Sequence, residues 1–453
     1  MDLKTLEAQV KGRLLTPESE GYDEARTPWH LSVQQRPKLI VAARDAEDIA
    51  AAVRFAGENG LKVGVMNTGH GIARPADDNL LIHVSEMRGV EIDTEKKTAR
   101  VQAGAEWADV LSKSQDAGLA PLLGSSSNVG AVGFSLGGGM GWLARKHGLA
   151  QDSVISYEMV TAKGDMIRVS KDENPELFWG LKGGGASFGI VTSMEIRLFP
   201  VDTVFAGTLF YSPDDAREIF ARYRTWSSEL SDDWTTSVSI GNFPDVPIVP
   251  EPLRGKSMVM VRGCFDGPVE QGEKDLKPWL TWKEPLINMF GPLPFRESDR
   301  ISEDPRDPIP AALSNMILSE ISDDVIDSLV RRGIARNGPS PLLFAEIHQG
   351  GGALARADRS QMANMLQDAP WILKFVGMTP SPEAREVFQN ILEEIRQEIT
   401  PYCTGGVYLN FLSGEEKWNC ARSVYSQESL QRLIELKKTY DPENILSFNM
   451  NLA

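Results

Sequence analysis

Five histidines occur in this chain of 453 residues, and one of them, His70, lies between two glycines. The surrounding stretch, VGVMNTGHGIARP at residues 63–75, begins with a run typical of a buried strand. An imidazole between glycines has little cover from its neighbours, so a bound group can reach a ring nitrogen. A histidine in a loop after a strand can also be an ordinary residue that only forms a structural hydrogen bond. Spacing alone does not decide between these alternatives.

Glycine is dense in two later stretches, GSSSNVGAVGFSLGGGMGWLARKHGLA at residues 124–150 and KGGGASFGIVT at residues 182–192. The missing side chains allow backbone N–H groups to converge on a bound anion, which would suit a pyrophosphate. Because no lysine-rich patch lies nearby in the sequence, backbone dipoles would have to hold the two phosphates of a dinucleotide. Alternatively, the glycines only form tight turns or allow close packing.

Four segments together resemble the flavin-linked oxidases of the vanillyl-alcohol oxidase superfamily, and specifically the berberine-bridge-enzyme-like group. They are MNTGHGI at residues 66–72, the two glycine-rich stretches, and YDPENILSFNMN at residues 440–451. The resemblance implies an FAD cofactor, with His70 at the position of a histidine covalently bonded to a methyl of the flavin's benzenoid ring. The residues that it assigns to the cofactor are Met66, Asn67, Thr68, Gly69, His70, Gly71, Ser125, Ser126, Asn128, Val129, Gly130, Gly133, Gly137, Gly138, Gly139, Gly141, Gly148, Gly189, Ile190, Val191, Asn449 and Asn451.

The chain departs from the pattern of this group at two positions. Many members have a second, cysteinyl attachment, but aligning the glycines places Ser126 there, so we expect a single covalent link at most. The usual catalytic base is the tyrosine that closes a Tyr-x-Asn-Tyr segment, whereas this chain reads YLNF at residues 408–411 and ends on Phe411. An alcohol must lose its hydroxyl proton as hydride leaves, and phenylalanine cannot accept it. The lone pair of a neutral amine expels hydride directly, which favours a C–N substrate or an oxidative cyclisation.

Three residues are candidates for a catalytic base. Glu346 and His348 lie in the strand-like stretch FAEIHQG, where alternation puts both side chains on one face. Tyr408, at the start of the YLNF segment, is the third candidate. The imidazole has the most suitable ordinary pKa, ~6.5. Each of the three could equally be a structural or merely exposed residue.

We therefore predict an FAD-dependent oxidase that removes hydride from a C–N or C–O bond of a small organic substrate and passes the electrons to dioxygen. The middle of the chain should supply a mostly apolar roof over the flavin. Two alternatives remain open, a flavin dehydrogenase that uses another acceptor and a non-redox scaffold that binds flavin or ligand without turnover. The scaffold is supported by the absence of the group's attachment cysteine and catalytic tyrosine, whose positions are Ser126 and Phe411 here.

The elements that must position these residues follow mixed helical and strand patterns. Residues 38–66 indicate a βαβ unit whose second strand leads into the loop of His70, and residues 89–104 indicate a hairpin. From about residue 201, alternating stretches separated by helices indicate an antiparallel sheet. We predict an α+β fold with a two-part PCMH-type FAD-binding domain at residues 1–200 and 405–453. A substrate domain, an antiparallel sheet with helices, would be inserted at residues 201–404.

Composition excludes several other classes of protein. A net charge of -16 without any run of lysine and arginine argues against nucleic acid and anionic membrane surfaces as partners. No HExxH, CxxC or paired-histidine motif indicates a metal site. No apolar run reaches the ~18 residues of a membrane span. Three cysteines, Cys264, Cys403 and Cys420, leave one unpaired under any scheme, which fits a reducing compartment, so we expect a cytoplasmic protein.

Overall fold

A computed structural model describes residues 3–336, 338–363 and 366–452, and its first sheet contains the predicted βαβ unit. In the order β1-β2-β4-β3, the last three strands are parallel and β1 is antiparallel to β2. Helix α3 connects β2 to β3 and begins at Asp45, whose carboxylate accepts a hydrogen bond from the backbone N–H of Asp48. The elements are α1 (Leu3–Glu7), β1 (Arg13–Leu15), α2 (Tyr22–Arg26), β2 (Leu39–Ala42), α3 (Ala46–Glu58), β3 (Val63–Met66) and β4 (Leu80–His83).

A second, antiparallel sheet has the order β5-β6-β10-β8-β9, and a small two-stranded sheet pairs β11 with β7. Strands β5 and β6 form the predicted hairpin, with Val90 opposite Val101 and Asp93 opposite Thr98. The elements are β5 (Val90–Asp93), β6 (Thr98–Gln102), α4 (Trp107–Ser114), β7 (Leu119–Ala120), α5 (Ala131–Leu136), α6 (Ala144–His147), α7 (Ala150–Ser153), β8 (Val154–Thr161), β9 (Met166–Ser170), α8 (Pro175–Leu181), β10 (Gly189–Arg197) and β11 (Phe199–Pro200).

The third sheet is antiparallel and has eight strands in the order β15-β12-β14-β13-β18-β19-β17, with β16 also paired to β12. The strands are β12 (Thr203–Tyr211), β13 (Trp234–Asn242), β14 (Ser257–Phe265), β15 (Ile287–Asn288), β16 (Gly291–Pro294), β17 (Ala311–Leu318), β18 (Leu342–Gln349) and β19 (Trp371–Met378). The helices are α9 (Ala216–Ser228), α10 (Val269–Trp282), α11 (Asp323–Gly333), α12 (Ala353–Arg356) and α13 (Pro382–Ile399).

Alternation along these strands gives the third sheet two different faces. Val238, Ile347 and Phe375 are buried in one hydrophobic cluster with side chains of α9, α11 and α13, so the helices cover this face. Residues of opposite parity, including Glu346 and Lys374, line a cavity on the other face. One face of the sheet therefore packs in a hydrophobic core, and the other face carries polar groups.

After the third sheet the chain returns to the first sheet. The backbone N–H of Val63 donates to the carbonyl of Ile445 (2.9 Å). The buried carboxylate of Asp441 accepts hydrogen bonds from the N–H groups of Ile445 and Leu446 (both 2.8 Å) and from Lys437 Nζ (2.6 Å). The last helices are α14 (Gly414–Trp418), α15 (Ala421–Val424) and α16 (Gln427–Tyr440), and 3-10 turns lie at Gln115–Ala117, Pro213–Asp215, Phe295–Ile301, Arg359–Gln361, Leu366–Asp368, Thr400–Tyr402 and Leu409–Phe411.

The mixed sheets and helices confirm the predicted fold class. All strands of the third sheet lie within residues 203–378, inside the predicted insertion, although the division into domains stays a prediction. Cys264, Cys403 and Cys420 are free thiols. Within the described ranges there is no cluster of side chains suited to a metal ion and no helix with the length and hydropathy needed to cross a membrane.

Candidate active site

A cavity of ≈ 420 Å³ lies between the glycine-rich segments and the polar face of the third sheet. One side is formed by three segments, residues 66–72, 124–141 and 185–191, which we call the glycine loops. The opposite side is formed by strands β14, β17, β18 and β19, and residues 409–417 and 446–450 close the ends. Segments distant in the sequence thus meet at one site.

The structure brings most of the predicted site residues to this cavity. Those that line it are Met66, Asn67, Thr68, Gly69, His70, Gly71, Ser125, Ser126, Val129, Gly130, Gly133, Gly137, Gly141, Gly189, Ile190, Val191, Glu346, His348 and Asn449. Six predicted residues lie elsewhere, namely Asn128, Gly138, Gly139, Gly148, Tyr408 and Asn451.

Tight packing accounts for the misplaced glycines. The carbonyls of Gly138 and Gly139 accept hydrogen bonds from the start of α7, and a Cβ on Gly139 would lie 2.5 Å from the Cβ of Ala150. Gly148 ends α6 with a positive φ of 93°. The turn and the packing are sufficient to explain glycine at these three positions, and their assignment to the cofactor stays a prediction.

The two misplaced asparagines have contacts outside the cavity. Asn128 donates from Nδ2 to the carbonyl of Arg306 (2.9 Å) and accepts from the Ser126 hydroxyl (2.7 Å). The backbone N–H of Asn451 donates to the carbonyl of Trp418 (2.9 Å), while its side chain is exposed. Neither is brought to the cavity, in contrast to Asn449, whose side chain donates to the carbonyl of Ala186 at the cavity edge (3.1 Å).

Tyr408 is not placed as a catalytic base, which corrects that expectation. Its side chain is buried, and its hydroxyl accepts hydrogen bonds from the backbone N–H groups of Gly139 (2.8 Å) and Met140 (2.9 Å). Burial also raises the pKa of the phenol above its ordinary value. The hydroxyl thus holds the 137–141 turn in place and does not face the cavity.

His70 is held in a defined orientation on the cavity side of its loop. Its ring stacks on Trp29 with centroids 4.2 Å apart, and its Nδ1 lies 2.9 Å from the hydroxyl oxygen of Thr68. Burial, together with the nearby His30, lowers the pKa of His70 to about 3. The imidazole is therefore neutral near pH 7 and keeps a nitrogen lone pair for bonding.

The conformation of this loop depends on Gly69. Its φ is 80°, and a Cβ at this position would lie 2.4 Å from the Cβ of Pro28. The Pro28–Trp29 backbone packs directly on the glycine, and Trp29 N–H donates to the carbonyl of Thr68 (2.8 Å). Any side chain here would separate Trp29 from the His70 loop.

The cavity fits a group with an anionic, extended part. The backbone N–H groups of Gly69, His70 and Gly71 have no acceptor among the described residues, and all three residues line the cavity. A Cβ on Gly133 would meet no atom within 4 Å, so the cavity is open beside this glycine. Unused donors next to open space are suited to phosphate oxygens. The residues present therefore fit the FAD that the resemblance implies.

Backbone dipoles are not the only positive groups on this side. Lys417 lines the cavity and donates from Nζ to the carbonyl of Gly71 (2.8 Å), and burial lowers its pKa to about 8. Arg74 also lines the cavity and lies over the ring of Trp418. Two cations from distant segments therefore add to the positive potential of the backbone dipoles, and the holding of both phosphates by backbone dipoles stays a prediction.

Residues 299–309, the segment before β17, connect the third sheet to the glycine loops. The hydroxyl and N–H of Ser127 both donate to the Asp299 carboxylate, at 2.6 and 2.8 Å. Ser125 Oγ donates to Asp304 (2.5 Å), and Trp29 Nε1 donates to the carbonyl of Arg306 (2.9 Å). These bonds hold the two sides of the cavity together.

The polar face of the third sheet carries a buried charged cluster, defined as Arg262, Glu346, His348 and Lys374. Glu346 is 3% exposed, and its carboxylate accepts hydrogen bonds from Arg262 Nη1 (2.9 Å) and Ser237 Oγ (2.7 Å) and pairs with Lys374 Nζ (2.7 Å). Burial alone would raise the pKa of Glu346, but the positive charges of Lys374 and Arg262 hold it well below its ordinary value. Glu346 is therefore a fixed anion and a poor proton acceptor.

His348 has a different environment in the same cluster. Its Nε2 lies 3.2 Å from a carboxylate oxygen of Glu346 without hydrogen-bond geometry, and its ring packs on Phe411 with centroids 5.3 Å apart. Burial and the charge of Lys374 lower the pKa of His348, against the opposing effect of Glu346. The imidazole is neutral near pH 7 and is able to accept a proton.

The third sheet supplies the expected apolar residues but not an entirely apolar roof. Phe344, Leu313 and Val376 are apolar, but the charged cluster lies among them. Sequence reasoning missed Arg262 and Lys374, as well as Trp29 and Lys417. A signal was present, because each of the first two is the single charged residue of a largely apolar stretch, SMVMVRGCF at residues 257–265 and WILKFVGM at residues 371–378. A buried charge of this kind needs a partner or a ligand.

Two parts of the chain match known protein families. Residues 37–170 match the FAD binding domain, and residues 407–453 match the family described as berberine and berberine like. The FAD-linked oxidoreductase YgaK of Bacillus subtilis is 29% identical over 454 residues, which are 98% of this chain and 97% of the relative. The (R)-6-hydroxynicotine oxidase of Paenarthrobacter nicotinovorans is 28% identical over 465 residues, with 98% and 97% covered.

The same fold occurs in a solved structure of a glucooligosaccharide oxidase from Acremonium strictum. The TM-score is 0.83 at 21% identity, and the match covers 100% of this chain and 98% of the other. That oxidase is described with a 6-S-cysteinyl, 8α-N1-histidyl FAD. Together, these matches confirm the resemblance that the four segments indicate.

Proposed function

We propose that this FAD-dependent oxidoreductase binds FAD along the glycine loops, covalently through His70, and oxidises a small organic substrate below the charged cluster. When bound, the flavin supplies the hydride acceptor and transfers the electrons onward, in our proposal to dioxygen. One observation carries the proposal: the loop of His70 and the strand of His348 face each other across a single cavity.

The state of His70 supports a covalent link. Its ring is oriented by Trp29 and Thr68, and its lowered pKa keeps it neutral, so a nitrogen lone pair is available as nucleophile. A histidyl link is described for the glucooligosaccharide oxidase of the same fold. Ser126 offers a hydroxyl where that oxidase type has a cysteinyl sulfur, so the histidyl link would be the single attachment.

Among the three candidate bases, we assign proton transfer to His348. Glu346 is held ionised by two cations, and the Tyr408 hydroxyl is used by two backbone N–H groups. His348 is neutral, lines the cavity, and would gain a stabilising neighbour on protonation, because Glu346 lies 3.2 Å away. The imidazole would accept a proton from the substrate as hydride leaves.

The substrate preference follows from Phe411. This ring packs against His348 and lies 5.1 Å from Lys374 Nζ, so an apolar edge occupies the position next to the base. A neutral amine needs no proton acceptor for hydride loss, whereas an alcohol depends wholly on His348. We therefore place C–N bonds, including oxidative cyclisation, ahead of C–O bonds.

Flavin reduction without oxygen tests the proposal. The purified protein is mixed anaerobically with a panel of small amines and alcohols, and the flavin absorbance is followed, with dithionite as the control for a reducible flavin. We expect at least one amine to bleach the flavin, and air to restore the colour with one peroxide formed per flavin. A protein that does not bind FAD, or a flavin that only dithionite reduces, would contradict the proposal. Recovery of colour without peroxide would instead identify a dehydrogenase.

The cellular location is also a proposal. The three cysteines are unpaired thiols, and Cys264 is fully enclosed in the third sheet. Such a set fits a reducing compartment, so we propose the cytoplasm. Location by fractionation of the source cells would test this.

A further inference from the structure

Arg262 has more hydrogen-bond donors than the protein uses. The residue is 6% exposed and lines the cavity. One Nη donates to Glu346 (2.9 Å), the other reaches only the thioether of Met260 (3.5 Å), and Nε has no partner. A guanidinium carries five N–H donors, and leaving them unpaired in a buried site costs free energy. The unused donors therefore indicate a missing acceptor.

Lys374 adds a second cation on the same face. Its Nζ pairs with Glu346 (2.7 Å) and lies over the Phe411 ring, and the side chain is 14% exposed. Since Glu346 is the only anion of the charged cluster and His348 is neutral, two positive charges face one negative charge. The cluster thus carries an excess charge of about one positive unit in a site where ion pairs are weakly screened.

We propose that the excess charge binds a carboxylate of the substrate, so that the substrate class is small organic acids that also carry the reacting C–N bond. The carboxylate would accept from Arg262 and Lys374, which remain in place through their bonds to Glu346. Phe344, 5.7 Å from the guanidinium, and Phe411 flank this position and suit a planar or aromatic body. Arg262 and Lys374 would then set specificity, and His348 would take the proton that the ammonium form of the substrate must lose before its lone pair can expel hydride.

This inference rests on the proposed function, because the cavity must first hold the flavin. The excess charge has one competing use, which is to balance the negative charge that the cofactor gains on reduction. The two uses differ in what they change: substrate preference in one case and flavin reduction potential in the other. The experiment therefore measures both.

The test uses holoprotein whose bound flavin is reduced anaerobically by at least one amine of the panel described above, so that failure of the proposed function is recognised beforehand. Benzoate and phenylacetate, and separately their amides, are titrated while the flavin difference spectrum is recorded. We expect each carboxylate to bind at least about tenfold more tightly than its amide, as a charged hydrogen bond warrants. Lys374→Gln should abolish this preference, and Lys374→Arg, which keeps the charge, should retain it.

Arg262→Gln should also abolish the preference, but it leaves Glu346 with a single cation and is the variant at risk of unfolding. Lys374→Gln keeps the Arg262–Glu346 pair and therefore carries the test alone if needed. Equal binding of acids and amides, no response to either acid, or an unchanged preference in Lys374→Gln would each overturn the inference. A shifted midpoint potential in Lys374→Gln with unchanged preference would overturn it in favour of the cofactor.

Discussion

The two sides of the cavity are built on opposite chemical principles. The glycine loops offer backbone N–H groups, a neutral imidazole and otherwise uncharged side chains, whereas the third sheet offers charged side chains fixed by one another. The first arrangement suits a constant ligand, because backbone geometry is set by a contiguous sequence. The second suits a ligand that varies between proteins, because single substitutions on separate strands change its charge. In our proposal, cofactor and substrate are therefore recognised by separate parts of the sequence.

The largest effect is expected when the imidazole of His70 is removed from the glycine loops. His70→Ala should retain the fold but lose the covalent link entirely, because no other nucleophile takes its place. After acid precipitation, the yellow colour should move from the pellet to the supernatant. His83→Ala, at the end of β4 and outside the cavity, is the matched control and should keep the colour in the pellet. Flavin retained in the His70→Ala pellet would refute the attachment.

The next largest effect is expected on the opposite side of the cavity, at His348. His348→Gln should slow flavin reduction by an alcohol by ~10²–10⁴-fold, the usual contribution of a general base. Because the pKa of His348 lies below its ordinary ~6.5, the wild-type rate should be constant at neutral pH and fall only on the acid side. The variant should lack this acid limb.

Tyr408→Phe serves as the control for His348. It removes a hydroxyl that bonds only to protein, so stability should decrease while the acid limb of the rate profile remains. If Tyr408→Phe erased that limb and His348→Gln did not, the two roles would have to be exchanged.

A smaller effect concerns the stability of the charged cluster. Glu346→Gln leaves two buried cations without their anion and should cost about 3–5 kcal/mol in the free energy of unfolding, measured by urea titration near neutral pH. Glu176→Gln, which removes an exposed pair with Arg432, should cost below about 1 kcal/mol.

The loss of unfolding free energy in Glu346→Gln should depend on pH in a defined direction. The pKa of Glu346 is lowered in the folded protein, so its contribution is complete above the unfolded value of ~4.3 and is lost as pH falls toward the folded value. The difference between wild type and Glu346→Gln should therefore shrink in acid. A difference that grew in acid would show that Glu346 is protonated in the native state.

The smallest effect compares two glycines with positive φ. Gly60→Ala, at a φ of 66° with open space around it, should cost only the ~1–2 kcal/mol of a left-handed backbone. Gly69→Ala adds a collision with Pro28 and should cost more, while also weakening flavin retention. Thermal unfolding with and without added FAD measures both. If Gly60→Ala and Gly69→Ala lost the same stability, the contact of Gly69 with Pro28 would be unimportant.

Local patterns were sufficient to predict the βαβ unit and the β5–β6 hairpin, because each depends on a short stretch. They were also sufficient to identify the loop of His70 as a candidate binding site. Tyr408 was misassigned because its partners, the N–H groups of Gly139 and Met140, lie almost 270 positions earlier in the chain. Arg262 and Lys374 escaped prediction for a similar reason. They lie on β14 and β19, and no single stretch of sequence shows that these strands belong to the same sheet as β18, which carries Glu346 and His348.

The range of residues around the cavity has a consequence for how the protein matures. Its lining runs from Trp29 to Met450, and residues 299–309 bridge its two sides. During synthesis, the His70 loop would leave the ribosome long before the strands and C-terminal residues that complete its surroundings. If FAD binds this cavity as we propose, its loading should be a late step, after nearly the whole chain has been released. With the proposed covalent link to His70, the flavin content of a preparation would then report the fraction of molecules that has folded correctly.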